Sequence, residues 1–304
     1  MAEPPAPELV TLTRADPPPG PVLLRLGDLL ADAEADARRL HDARLSGAAR
    51  GPVTGLPRLD RELSGALEPG LHVLHGTPGA GKSAMALQVA ATCGCPALLV
   101  TLEMRPLVLL KRLAARVTQT YLGRLSTGEL SPQQALELYR RAAAAAPELH
   151  ILDATQAAPE VADLERHAQA VRGAAPHLLL VIDSLHTWAD TLPGGDSPEY
   201  DRLNAALAGA RALAARLSAP VLAVCERNRV SMAKGGLSAG AGTRKIEYGA
   251  ETVLDLDAQE DARPDATGAR PVTLKLAKNR NGTAGAKVRL LFHGATQTFR
   301  EDVQ

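Results

Sequence analysis

The run Gly76-Thr77-Pro78-Gly79-Ala80-Gly81-Lys82-Ser83 fits the pattern G-x-x-x-x-G-K-[ST] at every defined position. The glycines let the backbone curl until successive N–H groups face an anion, and a helix following the loop adds the positive end of its dipole. Lys82 is expected on the β- and γ-phosphates of a nucleoside triphosphate, and the Ser83 hydroxyl on Mg²⁺. Two carboxylates extend this chemistry. Asp183 ends the apolar run from Leu178 to Ile182 and so emerges where open α/β sheets bind ligands, as a second Mg²⁺ anchor. Glu103, in Thr101-Leu102-Glu103-Met104, ends another short apolar run and is placed to orient, or take a proton from, the water that attacks the γ-phosphate. Each feature has a plainer alternative: a glycine-rich turn that binds nothing, an aspartate capping a turn, an acid favoured by a helix dipole.

These groups need a frame that brings chain segments a hundred residues apart to one edge. Leu71 to His75 is an apolar strand entering the loop, and Ala84 to Ala90 a helix leaving it. Further strands are expected at Ala97 to Thr101, His150 to Leu152, Leu178 to Asp183 and Val221 to Cys225. Helical patterns run from Pro106 to Thr118, Ser131 to Ala145, Pro159 to Arg172 and Glu199 to Leu217. Strands alternating with helices of this length predict an α/β fold with a mostly parallel central sheet flanked by helices, and Val272 to Leu276 with Val288 to Phe292 predict an antiparallel end. Residues 1–20, rich in proline, read as a disordered leader. Leu26, Leu29, Leu30, Ala33, Ala37 and Leu40 form one stripe of an amphipathic linker helix, which with a flexible Gly/Ala link fills 21–50. That helix packs either on its own domain or on a neighbouring subunit. The main domain is expected over 51–304.

A formal net charge of zero excludes a global basic field, so any nucleic-acid contact must come from a local patch. Aromatic residues make up 2%, which leaves few platforms for base stacking. Three cysteines, Cys93, Cys95 and Cys225, lack metal-ligand spacing and read as reduced thiols of a cytoplasmic protein, with Cys93-Gly94-Cys95 as a redox pair the less favoured alternative. No signal peptide opens the sequence, and no apolar run reaches the length of a membrane span.

Taken together, the sequence resembles the C-terminal ATPase domain of the DnaB-type replicative DNA helicases from about residue 51 to 301. The carriers are Thr54-Gly55-Leu56-Pro57, Leu59-Asp60-Arg61, the phosphate loop, Leu102-Glu103-Met104, Val181-Ile182-Asp183, Asn228-Arg229, Ile246-Glu247 and Ala277-Lys278-Asn279-Arg280-Asn281-Gly282. The resemblance implies a RecA-like fold, ATP and Mg²⁺ as cofactors, a homo-oligomeric, hexameric ring on single-stranded DNA, and loader or other replication partners. It makes Glu103 the catalytic base and sends Lys278 and Arg280 from a late hairpin to the γ-phosphate held by the next subunit. It also locates the channel loop between Arg229 and Lys245, where Arg229, Lys234, Arg244 and Lys245 sit among glycines and serines as DNA-contact candidates. This sequence departs from the family pattern where a polar amide usually senses the γ-phosphate: the position holds Glu226. Two other readings stay open, a RecA/RadA/KaiC-like regulatory or recombination ATPase that does not unwind, and a degenerate subunit that binds nucleotide for assembly.

Overall fold

The computed structural model describes residues 23–192, 198–226, 249–258 and 264–302. The chain divides into two units at Ser46–Gly47. In the first, a 3-10 turn over Leu26–Leu29 leads into helix α1, Leu30–Ser46, which buries none of its residues. Arg38 pairs with Glu34 at 2.6 Å and Arg39 with Asp36 at 2.7 Å along its polar surface.

The second unit, among the described residues, is built on nine strands: β1 (Gly70–Gly76), β2 (Ala97–Thr101), β3 (Leu149–Asp153), β4 (Leu179–Asp183), β5 (Pro220–Glu226), β6 (Thr252–Ala258), β7 (Ala269–Asn279), β8 (Lys287–His293) and β9 (Thr298–Glu301). They form one sheet in the order β3-β2-β4-β5-β1-β6-β7-β8-β9. The first six in that order are parallel, and β6 to β9 pair antiparallel. α2 (Pro57–Glu62) precedes β1, and between the strands lie α3 (Lys82–Thr92), α4 (Pro106–Thr118), α5 (Pro132–Ala145), α6 (Val161–Arg172), α7 (Leu185–Thr191) and α8 (Glu199–Leu217).

The period of two along the central strands decides the layering. Leu99, Leu179, Val181, Leu222 and Val224 face a core shared with α2 to α5. Their neighbours Leu98, Val100, Leu180, Ile182, Val221 and Ala223 face a second core under α6, α7 and α8. Both faces are covered, which is why these strands read as continuous apolar runs. In β7, β8 and β9 the buried Val272, Leu274, Leu276, Val288, Leu290 and Phe299 all join the first core, so this end alternates. Helix ends follow local chemistry. Pro106 and Pro132 stand in first turns, Ser131 and Gln134 close a capping box on α5, and Gln119 ends α4 in the left-handed region.

Three elements escape a reading of the sequence. β6, Thr-Val-Leu-Asp-Leu-Asp-Ala, carries two acids that hide its apolar alternation. β9 has four residues. α7 has seven residues, too few to show a helical period, although its N-cap Ser184 is visible in the sequence. β9 is held from the side by a buried amide: Gln88 Nε2 donates to Phe299 O and Phe299 N–H donates to Gln88 Oε1, both at 2.9 Å.

Candidate active site

The parallel register brings four strand ends to one edge. Thr101 lies beside Asp183, and Gly76 beside Glu226. The chain leaving β1 there forms the phosphate loop. Its curl needs glycine in two places: Gly81 sits at φ +98° with a Cβ position 2.8 Å from the Phe299 ring, and a Cβ on Gly76 would lie 2.8 Å from Leu256 O. Ala80 N–H closes a turn onto Thr77 O, and α3 starts at Lys82 with its N-terminus on the loop.

The side chains lining this edge enclose a cleft of about 290 Å³ that includes Gly79, Lys82, Ser83, Glu103, Asp183 and Glu226. Lys82 is buried, and its Nζ donates to Thr77 O at 3.1 Å. Burial lowers its pKa, while Glu226, Asp183 and Glu103 oppose that shift in descending order. Asp183 is buried too, and its carboxyl is pushed up to about 6 by desolvation against a hydrogen bond from the Ser83 hydroxyl. A buried carboxylate and a hydroxyl on one another offer hard oxygens of the kind Mg²⁺ takes. The expected pair Ser83 and Asp183 is therefore brought together. Thr77, Pro78 and Gly79 form the outer wall of the loop, with Pro78 and Gly79 exposed.

Glu103 also lines the cleft. Its Oε1 accepts two hydroxyl hydrogen bonds at 2.6 Å each, from Ser184 and Thr187. Glu226 Oε1 lies 3.9 Å from Lys82 Nζ, and the Glu226 backbone N–H donates to His186 Nδ1 at 3.3 Å. Burial lowers the pKa of His186, which keeps that nitrogen an acceptor.

Lys278 and Arg280 lie elsewhere. Lys278 pairs with Val253, and a bulge at Ala277 interrupts the β6–β7 ladder just before it. Arg280 follows the strand and is tied at both ends to Glu251, its backbone N–H to Glu251 O at 2.9 Å and its Nη1 to Glu251 Oε1 at 2.8 Å. Glu251 N–H in turn bonds Leu71 O, five residues before Gly76, which is roughly 16 Å along a strand. Arg229, Lys234, Arg244 and Lys245, with Asn228, Ile246 and Glu247, lie outside the described residues.

Several groups at the cleft have no counterpart in the sequence reading. Arg112, on α4, reaches the lining beside Asp183, and its pKa is lowered by burial against the Asp183 charge. Phe292 and Phe299 stack at 4.2 Å against Gly81, and Arg270 lies over Phe292 at 5.4 Å while donating to Gly79 O at 2.5 Å. Tyr121 and His293 form a second ring contact at 5.7 Å, in a separate cleft with Thr296 and Arg300. Phe292 and Phe299 are themselves buried, so the stack supports Gly81 of the phosphate loop from beneath. The signal in the sequence is limited to Phe at 292 and 299, on strands whose partners it does not reveal. The cysteines are free, with Cys93 Sγ 3.8 Å from Cys95 Sγ.

A phosphate loop on a central parallel strand, an aspartate on its hydroxyl and an acid on the adjoining strand end define a RecA-like P-loop ATPase fold. The chain belongs to the family of the DnaB-like helicase C terminal domain, whose model matches residues 51–301. It is 32% identical over 184 residues to the replicative DNA helicase DnaB of Nostoc sp., an alignment that covers 58% of this chain. The chain spans about a fifth of that relative, 20% of its length. Among solved structures, an isolated ATPase domain matches 91% of this chain and 99% of its own at TM-score 0.74 and 16% identity. A DnaB-like replicative helicase whose structure was determined with its interactions with primase matches 92% and 67% at TM-score 0.73 and 17% identity. A KaiC-like protein from Pyrococcus horikoshii matches 84% and 99% at TM-score 0.55 and 21% identity. Among the described residues no helix is long and apolar enough to cross a membrane.

Proposed function

We propose that this chain is an ATP-hydrolysing motor domain of DnaB-like type, working in the cytoplasm as a homo-oligomeric, hexameric ring on single-stranded DNA, in replication or repair, alongside a loader or other replication partners. The observation that carries the reading is the convergence of Lys82, Ser83, Asp183 and Glu103 on one cleft while Arg280 is held at the far side of the same sheet. Lys82 and the loop N–H groups bind the phosphates, and Ser83 with Asp183 holds Mg²⁺, which when bound neutralises phosphate charge. Glu103 orients the attacking water and takes its proton. Lys278 and Arg280 serve the γ-phosphate of a neighbouring copy, and Arg229, Lys234, Arg244 and Lys245 track the DNA backbone. The domain is taken as 51–304, with the helix before it as a linker between subunits and 1–20 as a leader.

The test is the ATPase rate with and without single-stranded DNA, read alongside mass in solution. Glu103→Gln is expected to bind nucleotide yet lose turnover by about a hundredfold or more, whereas Lys82→Ala loses binding or turnover outright. Charge reversal at Arg244 and Lys245 should flatten the salt dependence of DNA binding. A second reading, a nucleotide-binding assembly subunit that barely hydrolyses, is favoured by Glu226, whose carboxylate faces Lys82 where an amide is usual. Nucleotide-dependent oligomers without turnover would select it. DNA-independent ATPase by a protein that never unwinds would select the RecA/RadA/KaiC-like alternative.

A further inference from the structure

We propose that Ser184 and Thr187 are positioning residues that hold Glu103 in its water-orienting pose, a role that rests on the ATPase reading above. Both hydroxyls donate to the same oxygen, Glu103 Oε1, at 2.6 Å. Each hydroxyl has one proton, so both protons are committed to Glu103. The 2.9 Å approach of the two hydroxyl oxygens to each other follows from their sharing that acceptor. The second carboxylate oxygen, Oε2, is left for a water in the cleft. A free glutamate side chain samples many rotamers, and fixing one costs conformational entropy. Here that ordering is supplied by the fold before nucleotide arrives.

The platform beneath the two hydroxyls is rigid. Ser184 directly follows Asp183, and its Oγ accepts Thr187 N–H as the N-cap of α7. Leu185 and Trp188 of the same helix are fully buried, and Trp188 Nε1 donates to Pro159 O at 2.9 Å. On the other side the turn carrying Glu103 is pinned by Thr101, whose hydroxyl donates to Met104 O at 2.6 Å and accepts Met104 N–H. The first turn of α7 also carries His186, which receives the Glu226 backbone N–H. One helical turn thus sets the two acids that flank Lys82.

The experiment is steady-state ATP hydrolysis and binding of a fluorescent ATP analogue by the full chain carrying Thr187→Val, Thr187→Ser or Ser184→Ala, each alone and with Glu103→Gln. Thr187→Val keeps the side-chain shape and removes the donor. It should lower kcat by about tenfold to a hundredfold with nucleotide Kd unchanged, because a misplaced group costs rate rather than binding. Thr187→Ser should restore kcat to within about twofold, and Ser184→Ala should lower it as Thr187→Val does. In the Glu103→Gln background the residual rate should not fall further when Thr187→Val is added. A wild type that turns over while Thr187→Val keeps its kcat, or an equal loss in both backgrounds, overturns the positioning role alone. A wild type that binds ATP and never turns over overturns the hydrolase reading and this role with it.

Discussion

Glu226 Oε1 stands 3.9 Å from Lys82 Nζ, so an acid of the fifth strand occupies space around the cation that the phosphate loop offers to nucleotide. The Lys82 side chain is 9% exposed and the Glu226 side chain 56% exposed. The pair is asymmetric: Lys82 is fixed, and Glu226 is free to swing toward solvent when a more highly charged anion arrives.

The consequence is competition. Glu226→Gln removes the competing charge and restores the amide usual in the family, so affinity for ATP should rise by about threefold to tenfold, with a larger gain for ATP than for ADP. Titration of a fluorescent nucleotide into both proteins measures it. Equal affinities would mean that Glu226 leaves Lys82 at no cost.

Asp183 gives the site a pH dependence. Its folded-state value of about 6 lies above the ordinary 3.8, because burial disfavours the charged form. The protein without nucleotide is therefore most stable with Asp183 protonated. That contribution is complete below pH 3.8 and is lost as pH rises through about 6. Mg²⁺ needs the ionised carboxylate, so the Mg²⁺ concentration for half-maximal nucleotide binding should climb by up to about tenfold per unit below pH 6. Asp183→Asn should flatten the stability trend in thermal melts without ligand, and a variant as pH-dependent as the wild type would place the titration on another group.

Gln88 is a structural prediction separate from chemistry. Its amide satisfies both backbone groups of Phe299, and Gln88→Leu keeps the volume while leaving a buried N–H and C=O unpaired. The expected loss is about 2–4 kcal/mol in denaturant unfolding, with β9 and the Phe292–Phe299 stack loosened first. A change under about 0.5 kcal/mol would mean that water replaces the amide at both atoms.

What the sequence makes legible divides along physical lines. The central strands and long helices are readable because burial on both sheet faces leaves uninterrupted apolar runs, and the phosphate loop because its backbone geometry requires glycine at set places. Asp183 and Glu103 follow from their positions at strand ends. The hydroxyl clamp from α7 is not readable, since Ser184 and Thr187 meet Glu103 across 81 and 84 residues of chain with no local pattern. The same holds for Arg112 and for the stacked Phe292 and Phe299, whose relation to Gly81 depends on how β8 and β9 close the sheet. The bulge at Ala277, just before Lys278 and Arg280, is likewise invisible in the sequence, since it depends on how β7 pairs with β6.

Arg280 provides the last prediction. Its guanidinium is held by Glu251 of its own chain at 2.8 Å, on the side of the sheet away from the phosphate loop. A planar cation suits the charge spread over phosphate oxygens in the transition state, and none of the described strands of the same chain brings it there. A head-to-tail ring would present this hairpin to the next copy's cleft, where an arginine in trans contributes about 10³ to 10⁵ in rate. Arg280→Ala and Glu103→Gln proteins should each be nearly inactive. Mixed, they should regain partial ATPase activity, because some interfaces then join an intact Glu103 to a neighbour's intact Arg280. Glu251→Gln should leave oligomers intact and ease release of Arg280, raising turnover by a few-fold if the ion pair restrains it. Mixed oligomers that form and stay inactive, or full-rate hydrolysis by a monomer, would place the whole site within one chain.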